Sequence, residues 1–556
     1  MKKWRANFIF ILILLSGATI VGRLFFLQII QHDFYKALAQ GQQRVFQPMK
    51  GERGKVFFKG GQTLATNVER KYVFISPVEI KKKEETAKIL SQTLELEEEL
   101  ILEKARKDSL FEELKINLTG EEYKELEEAD LPGVYSSEAT FREYPQGTMA
   151  SHIIGFLGGE NVGQYGIEGY YDDSLQGKES FQETERGFGK YFFKMNGELT
   201  KGDDIFLTVD YNIQFMAEKL LSEAKESLNI KGGQIIVINP NSGEIMALAS
   251  FPSFDPNNYS EVEDLQIFQN PVVQKLFEPG SVFKPITMAG ALDREKITPQ
   301  TTYYDSGIVN IGTWSIYNYD ERSYGEQTMT EVLEKSINTG AVFAERQLGN
   351  DLFLEYLEQF GFFESTEIDL QGEVFSENEE FKKGYEINFC TASFGQGIEI
   401  TPIQLVRAFS AVANGGKLIN PYVVSKIVRD GKIIEIQPKI SRNVVSQRTA
   451  SQLTAMLVSV IENGFSKKAG ISGYYVAGKT GTAQVSWSAL GVDKKGYSNE
   501  TWQSFLGFVP ALDPKFLVLV KLDSPWTRTA EYSAIPVFQK LAKYIINYLQ
   551  IPPDHD

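Results

Sequence analysis

Glu278-Pro279-Gly280-Ser281-Val282-Phe283-Lys284-Pro285 is the stretch on which the reading of this chain turns. Pro279 and Gly280 punctuate the backbone. The apolar run Ile286-Thr287-Met288-Ala289-Gly290-Ala291-Leu292 behind them predicts a buried helix. Pro285 has no N–H to give, so Ser281 and Lys284 belong to a first helical turn, where that loss costs least. Three residues apart on a helix, the two side chains share a face. A serine hydroxyl becomes a competent nucleophile when a neighbouring base takes its proton. A lysine can be that base if burial and nearby positive charge keep it neutral. Ser-x-x-Lys alone is a weak signal, since it recurs at Ser222/Lys225 in a polar helix-like stretch without the Pro-Gly turn.

The composition narrows the chemistry. With 556 residues, 42% of them hydrophobic and 23% charged, the chain is long enough for several globular domains. A formal charge of −16 argues against a nucleic-acid binder, which would show a basic face. The single cysteine, Cys390, excludes an intrachain disulfide and a Cys-rich zinc site. It reads as a small buried hydrophobe. Three histidines (His32, His152, His555) leave little room for a Ser-His-Asp triad or a His-rich metal centre. Acyl chemistry here needs another base.

At the N-terminus, Lys2, Lys3 and Arg5 precede the apolar run Ala6–Val21. As a helix this run spans about 24 Å, slightly less than the ~30 Å hydrocarbon core of a bilayer. Leu24–Ile30 continues it beyond Arg23, which can snorkel to the interface. The expectation is an uncleaved transmembrane anchor over 1–30 with its N-terminus in the cytoplasm. A cleaved signal peptide ending at Ser16-Gly17-Ala18 is the competing reading, and either one exports the rest.

Residues 31–200 differ in pattern from the remainder of the chain. Arg53-Gly54-Lys55-Val56 and Gln62-Thr63-Leu64-Ala65 read as short strands and turns, and Lys81–Asp130 as charged surface helices with leucines at helical spacing (Leu90, Leu94; Leu110, Leu114). From residue 201 the pattern changes. Ile205–Val209 predicts a strand and Ile213–Leu228 a helix. Two apolar runs around Asn239-Pro240-Asn241-Ser242-Gly243 predict a hairpin. Helices are expected from Ser281 to about Gly361, with the aromatics at Tyr303–Tyr324 lining core and cleft. Strands are expected again at Val423–Val428, Tyr474–Gly478, Phe505–Val509 and Phe516–Leu522, and a last helix at Pro536–Leu549. Strands, then helices, then strands describe one antiparallel sheet faced by helices, an α+β domain.

Two further motifs fall in this domain. Ser336-Ile337-Asn338 follows Ser281 by 55 residues, and Lys479-Thr480-Gly481-Thr482 follows Ser336 by 143. The second motif is placed just after the strand Gly473–Gly478, whose glycines let another backbone come close. That strand can receive a peptide by edge pairing. The set Ser-x-x-Lys, Ser-x-Asn, Lys-Thr-Gly in this order resembles the penicilloyl serine transferases, and specifically the class B (monofunctional) penicillin-binding proteins. The likeness covers nearly the whole chain, including Arg142, Tyr144-Pro145-x-Gly147 and Gly166-x-Glu168 in the first half and Gly395-Gln396-Gly397 and Asn414-Gly415-Gly416 in the second. One departure is Phe57-Phe58-Lys59-Gly60, where the family usually has an acidic-basic pair before a glycine.

The resemblance implies a serine β-lactamase/transpeptidase-like α+β domain (201–556) on an elongated α+β pedestal (31–200) behind one N-terminal transmembrane helix. It implies a peptidoglycan D,D-transpeptidase of the cell membrane, with the catalytic domain outside, serving division or elongation. Ser281 is the expected nucleophile, Lys284 its base, Ser336 a proton relay, and Asn338 a clamp on Lys284 and the substrate amide. Lys479 supplies positive charge. Thr480, Gly481 and Thr482 bind substrate, and the backbone N–H groups of Ser281 and Thr482 form the oxyanion hole. Partners are peptidoglycan stem peptides, β-lactams and a separate membrane glycosyltransferase (SEDS-type); no metal or cofactor is implied. The alternatives are a D,D-carboxypeptidase or β-lactamase on the same scaffold, and a non-catalytic β-lactam-binding scaffold or receptor.

Overall fold

Gly232–Ile238 (β1) is buried at all seven positions, so both faces of its sheet are covered. The turn after it brings the chain back as Ile245–Phe251 (β2), the predicted hairpin. Gly243 in that turn has φ 84°, and a side chain there would strike the Asn420 carbonyl. The structure, a computed structural model, describes residues 51–159, 161–177 and 200–555, the strand backbones of 44–49, 180–187 and 190–196, and isolated positions in the first 21.

The elements that position the site are, in chain order, helix α1 (Tyr211–Leu228), β1 and β2, then α2 (Lys284–Asp293). Four short strands follow: β3 (Thr302–Asp305), β4 (Ile308–Ile311), β5 (Trp314–Tyr317) and β6 (Gly325–Thr328). Next come α3 (Met329–Glu334), α4 (Asn338–Leu348), α5 (Pro402–Ala413) and α6 (Gln447–Glu462). The domain closes with β7 (Ala477–Ser486), β8 (Tyr497–Val509), β9 (Phe516–Asp523) and α7 (Ala534–Tyr548). One antiparallel sheet runs in the order β2, β1, β9, β8, β7, which leaves β7 at an edge. α1 and α7 pack on each other and on β2, β8 and β9, while α5 and α6 pack against β9 and β7 and enclose α2. α7 buries Phe538, Leu541, Ala542 and Ile545, the spacing of a one-sided apolar stripe. α2 is instead buried at nine consecutive positions, Lys284 to Leu292.

Two expectations need correction. Residues 302–328 contain no α-helix, only a 3₁₀ turn at Tyr319–Glu321: β3 pairs with β6 and β4 with β5. Tyr, Ile, Val and Trp favour the pleated surface, and Gly307, Gly312 and Gly325 take positive φ at the bends. The aromatics of this stretch divide between surface and interior. Tyr304, Trp314, Tyr317 and Tyr319 are exposed, whereas Tyr303 stacks on Phe343. The strand predicted at Tyr474–Gly478 begins at Ala477 and runs through Lys479-Thr480-Gly481-Thr482, so the motif lies within the strand. Gly473 and Tyr474 are held instead by the C-terminal segment, through Asp554 N–H to the Gly473 carbonyl (3.0 Å) and Tyr474 Oη to the Ile551 carbonyl (2.6 Å).

The chain divides into two compact units, 1–54 with 176–203, and 55–175 with 204–556. In the first, strands 44–49, 180–187 and 190–196 form a three-stranded antiparallel sheet. In the second, a further sheet has the order Lys432–Glu435, Val424–Arg429, Asp204–Leu207, Val56–Phe57, Thr63–Ile75, Glu112–Ile116, with Val134–Glu143 also on Thr63–Ile75. Residues before and after position 200 therefore share this sheet, joined by the parallel pair Val56–Phe57 and Asp204–Leu207. The charged helices between 83 and 129 cover a small core that includes Val73, Leu90, Leu94, Leu114 and Leu126, while Leu110 stays exposed. Among the described residues no helix is long and apolar enough to cross a membrane. The predicted anchor at 1–30 lies, apart from isolated positions, outside them.

Candidate active site

The turn that carries Ser281 is a 3₁₀ segment, Gly280–Phe283, running into α2 with Pro285 in its first turn, as expected from the missing N–H. Gly280 (φ 62°) donates its N–H to the Gly395 carbonyl at 2.9 Å. A side chain at Gly395 would strike the Gly280 carbonyl, so the Gly395-Gln396-Gly397 loop supports the turn from behind. On the other side the turn lies directly on β7. A Cβ at Gly481 would meet Ser504 Oγ at 2.6 Å and the Pro279 carbonyl at 3.0 Å, and one at Gly280 would meet Ala483 Cβ at 2.9 Å. The close approach that glycine permits in this strand therefore serves the chain's own turn at Ser281.

Lys284 points from this turn into the solvent-excluded interior. It is 0% exposed, and its Nζ lies 3.0 Å from Ser281 Oγ, 3.2 Å from Ser336 Oγ and 2.5 Å from the Ser336 carbonyl. Lys479, 1% exposed, donates to Ser336 Oγ at 2.9 Å and to the Thr480 carbonyl at 3.2 Å. Burial, followed by the charge of Lys479, pushes Lys284 well below the ordinary lysine value. Burial brings Lys479 down to about 7. Both shifts favour the neutral amine, and Lys479 is balanced between its two forms near pH 7.

Ser336 joins the two lysines. It sits between α3 and α4 with φ 55°, a left-handed backbone that costs a non-glycine residue about 1–3 kcal/mol. Asn338 opens α4, and its Nδ2 donates to the Tyr317 carbonyl at 3.0 Å. The clamp on Lys284 expected of Asn338 is made here by the Ser336 carbonyl. On β7, Lys479 and Gly481 are buried and Thr480 and Thr482 half-buried, the alternation of a strand with one face in the interior. Thr482 Oγ1 accepts from the Ala530 N–H at 3.3 Å, which ties the loop after β9 to the same strand.

Three features lie outside the site residues expected from the sequence. Glu278 accepts from Tyr497 Oη at 3.0 and 3.2 Å, and burial, with Glu399 nearby, pushes its carboxyl up to about 7. Asp305, Asn318 and Thr339 form a buried polar cluster behind Asn338. His152 lies within 2.9 Å of the Ile267 carbonyl, and burial lowers it to about 4. Among the described residues no group of three or more His, Cys, Asp or Glu could hold a metal ion.

A half-buried serine faces a buried lysine whose amine is pushed toward its neutral form, and a second serine links that lysine to another, an arrangement that suits serine acyl transfer with an amine as base. Similarity to known proteins narrows that class. Residues 233–543 match the family described as Penicillin binding protein transpeptidase domain, and residues 48–205 match Penicillin-binding Protein dimerisation domain. The chain belongs to the penicillin-binding protein transpeptidase family. It is similar to stage V sporulation protein D of Bacillus subtilis, 34% identical over 90% of this chain and 79% of that one. It is also similar to the peptidoglycan D,D-transpeptidase FtsI homolog of Mesostigma viride, 27% identical over 99% of this chain and 96% of that one. The fold is shared with penicillin-binding protein 2X of Streptococcus thermophilus (TM-score 0.72, 22% identical, 91% of this chain and 81% of that one).

Proposed function

We infer that the protein is a peptidoglycan D,D-transpeptidase that works through an ester on Ser281. The observation that carries this reading is Lys284 Nζ lying 3.0 Å from Ser281 Oγ while burial and the charge of Lys479 push it toward its neutral form. Ser281 Oγ attacks the carbonyl of the penultimate D-alanine of a stem peptide, and its proton passes to Lys284. The oxyanion so formed is stabilised by the backbone N–H groups of Ser281 and Thr482, each such donor lowering the barrier by about 3–4 kcal/mol. Ser336 relays the proton to the leaving amine, the C–N bond breaks, and terminal D-alanine departs. The amine of a second stem peptide then attacks the ester, and the same relay returns the proton to Ser281.

Thr480 and Thr482 receive the donor's terminal carboxylate beside the charge of Lys479. The extended donor lies along the open edge of β7, and Asn338 meets its amide. A β-lactam follows the first half of this path, but its ring-opened amine stays tethered and the ester persists. The basic residues Lys2, Lys3 and Arg5 before an apolar run support a single-pass anchor with the catalytic domain outside the cytoplasm. A separate membrane glycosyltransferase (SEDS-type) then supplies the strands to be cross-linked.

Incubation with a stem-peptide thioester and a D-amino acid tests the reading. Aminolysis, with a penicilloyl mass increment on Ser281 in a parallel β-lactam reaction, is expected. Hydrolysis without aminolysis would make the protein a carboxypeptidase, and an adduct on another residue would remove Ser281 from its role.

A further inference from the structure

The two hairpins between α2 and α3 are closed by one carboxylate. Asp305, at the end of β3, is 1% exposed. It accepts from the Gly307 N–H at 3.0 Å, the Tyr324 N–H at 2.8 Å, Thr339 Oγ1 at 2.6 Å, and Asn318 Nδ2 at 3.0 and 2.9 Å. Asn318, also buried, accepts the Thr339 N–H at 3.1 Å and donates to the Arg322 carbonyl at 3.0 Å. The residue before it, Tyr317, gives its carbonyl to Asn338. Donors thus converge on Asp305 from two places: the hairpins, and the first turn of α4 immediately after Ser336 and Asn338.

A buried aspartate that only staples a loop would draw its donors from that loop. Here the shortest contact comes from Thr339, outside it, at the N-terminus of a helix whose dipole favours a negative charge. All five contacts are donated to the carboxylate, so a neutral amide would turn an NH₂ group toward other donors.

We propose that Asp305 is a positioning residue for acyl transfer: through Thr339 and Asn318 it fixes the hairpins to the start of α4. It thereby holds Ser336 in its place beside Lys284, and Asn338 two residues further on. The inference rests on Ser281 being the acylated residue.

The test is the rate of acylation of the full chain by a fluorescent penicillin, resolved into half-saturating concentration and maximal rate, for the parent, D305N, T339V and T339S. T339V removes the hydroxyl and keeps the shape, while T339S keeps the hydroxyl. D305N and T339V are expected to lower the maximal rate by about tenfold or more, with T339S within about twofold of the parent. The pH dependence of the rate should shift in the two slow variants, since the groups around Lys284 are displaced. A purely structural role would lower thermal stability but leave the maximal rate of the folded enzyme at the parental value. That result in D305N and T339V, or a T339S as slow as T339V, would overturn the proposal. If D305N does not fold, the two Thr339 variants decide. A parent that takes no label on Ser281 would overturn the functional reading and this inference together, whereas a labelled parent with unaffected variants overturns this inference alone.

Discussion

At Ser336 geometry and chemistry make opposite demands. Its φ of 55° asks for glycine, but its hydroxyl touches both lysines. S336A loses the hydroxyl and keeps the strain; S336G loses both. Chemical denaturation is therefore expected to find S336G more stable than S336A by about 1 kcal/mol, with neither acylated at a useful rate. The lysines predict a pH signature. As pH rises through about 7, Lys479 sheds its proton and with it the charge facing Ser336, so acylation should fall on the alkaline side. In K479R the guanidinium keeps its charge, and that limb should move upward or vanish when rates are followed between about pH 5 and pH 10. Stability has the opposite slope. The folded state releases a proton that the unfolded chain retains, so between about 7 and 10.5 the parent should gain stability relative to K479M as pH rises. That Ser281, Lys284, Ser336 and Lys479 come together was legible from the order of short motifs. Asp305 was not, because its partners at 307, 318, 324 and 339 follow no local period.

Among the elements, the contact between the turn that carries Ser281 and β7 is the most exposed to change. G481A would push Ser504 Oγ, the Pro279 carbonyl and Val282 Cγ1 from a new methyl group, an overpacking cost of about 1–3 kcal/mol. Because two of those three atoms flank Ser281, acylation should suffer more than stability. Titration with a fluorescent penicillin beside a melting curve would separate the two. The β1–β2 hairpin and helices α1 and α7 could be read from periodicity and turn residues, since local preference and burial agree there. The hairpins at 302–328 could not. Their runs are four residues each, too short for a period to declare itself between two helices.

For the whole molecule, the family models divide the chain near residue 200, but the hydrogen bonds of the sheet through Val56–Phe57 and Asp204–Leu207 do not. Chain 201–556 alone would leave Asp204–Leu207 without its parallel neighbour and expose an edge. It should unfold at lower denaturant than chain 51–556 and aggregate more readily, which equilibrium unfolding and light scattering would show. Equal midpoints would mean that the shared sheet contributes little. A single sequence carries no direct signal for this pairing, because the two strands stand about 150 residues apart and touch only through tertiary structure.

Lys284 makes three contacts, yet a neutral amine has two hydrogens and one lone pair. The Ser336 carbonyl can only accept, so it claims one hydrogen outright. The other hydrogen and the lone pair must be divided between two hydroxyls. When the lone pair faces the Ser281 hydroxyl, the second hydrogen is left to face Ser336 Oγ. A proton taken up on one side can then be matched by one given up on the other without turning the amine, and the direction of transfer is written into the valence of a single nitrogen.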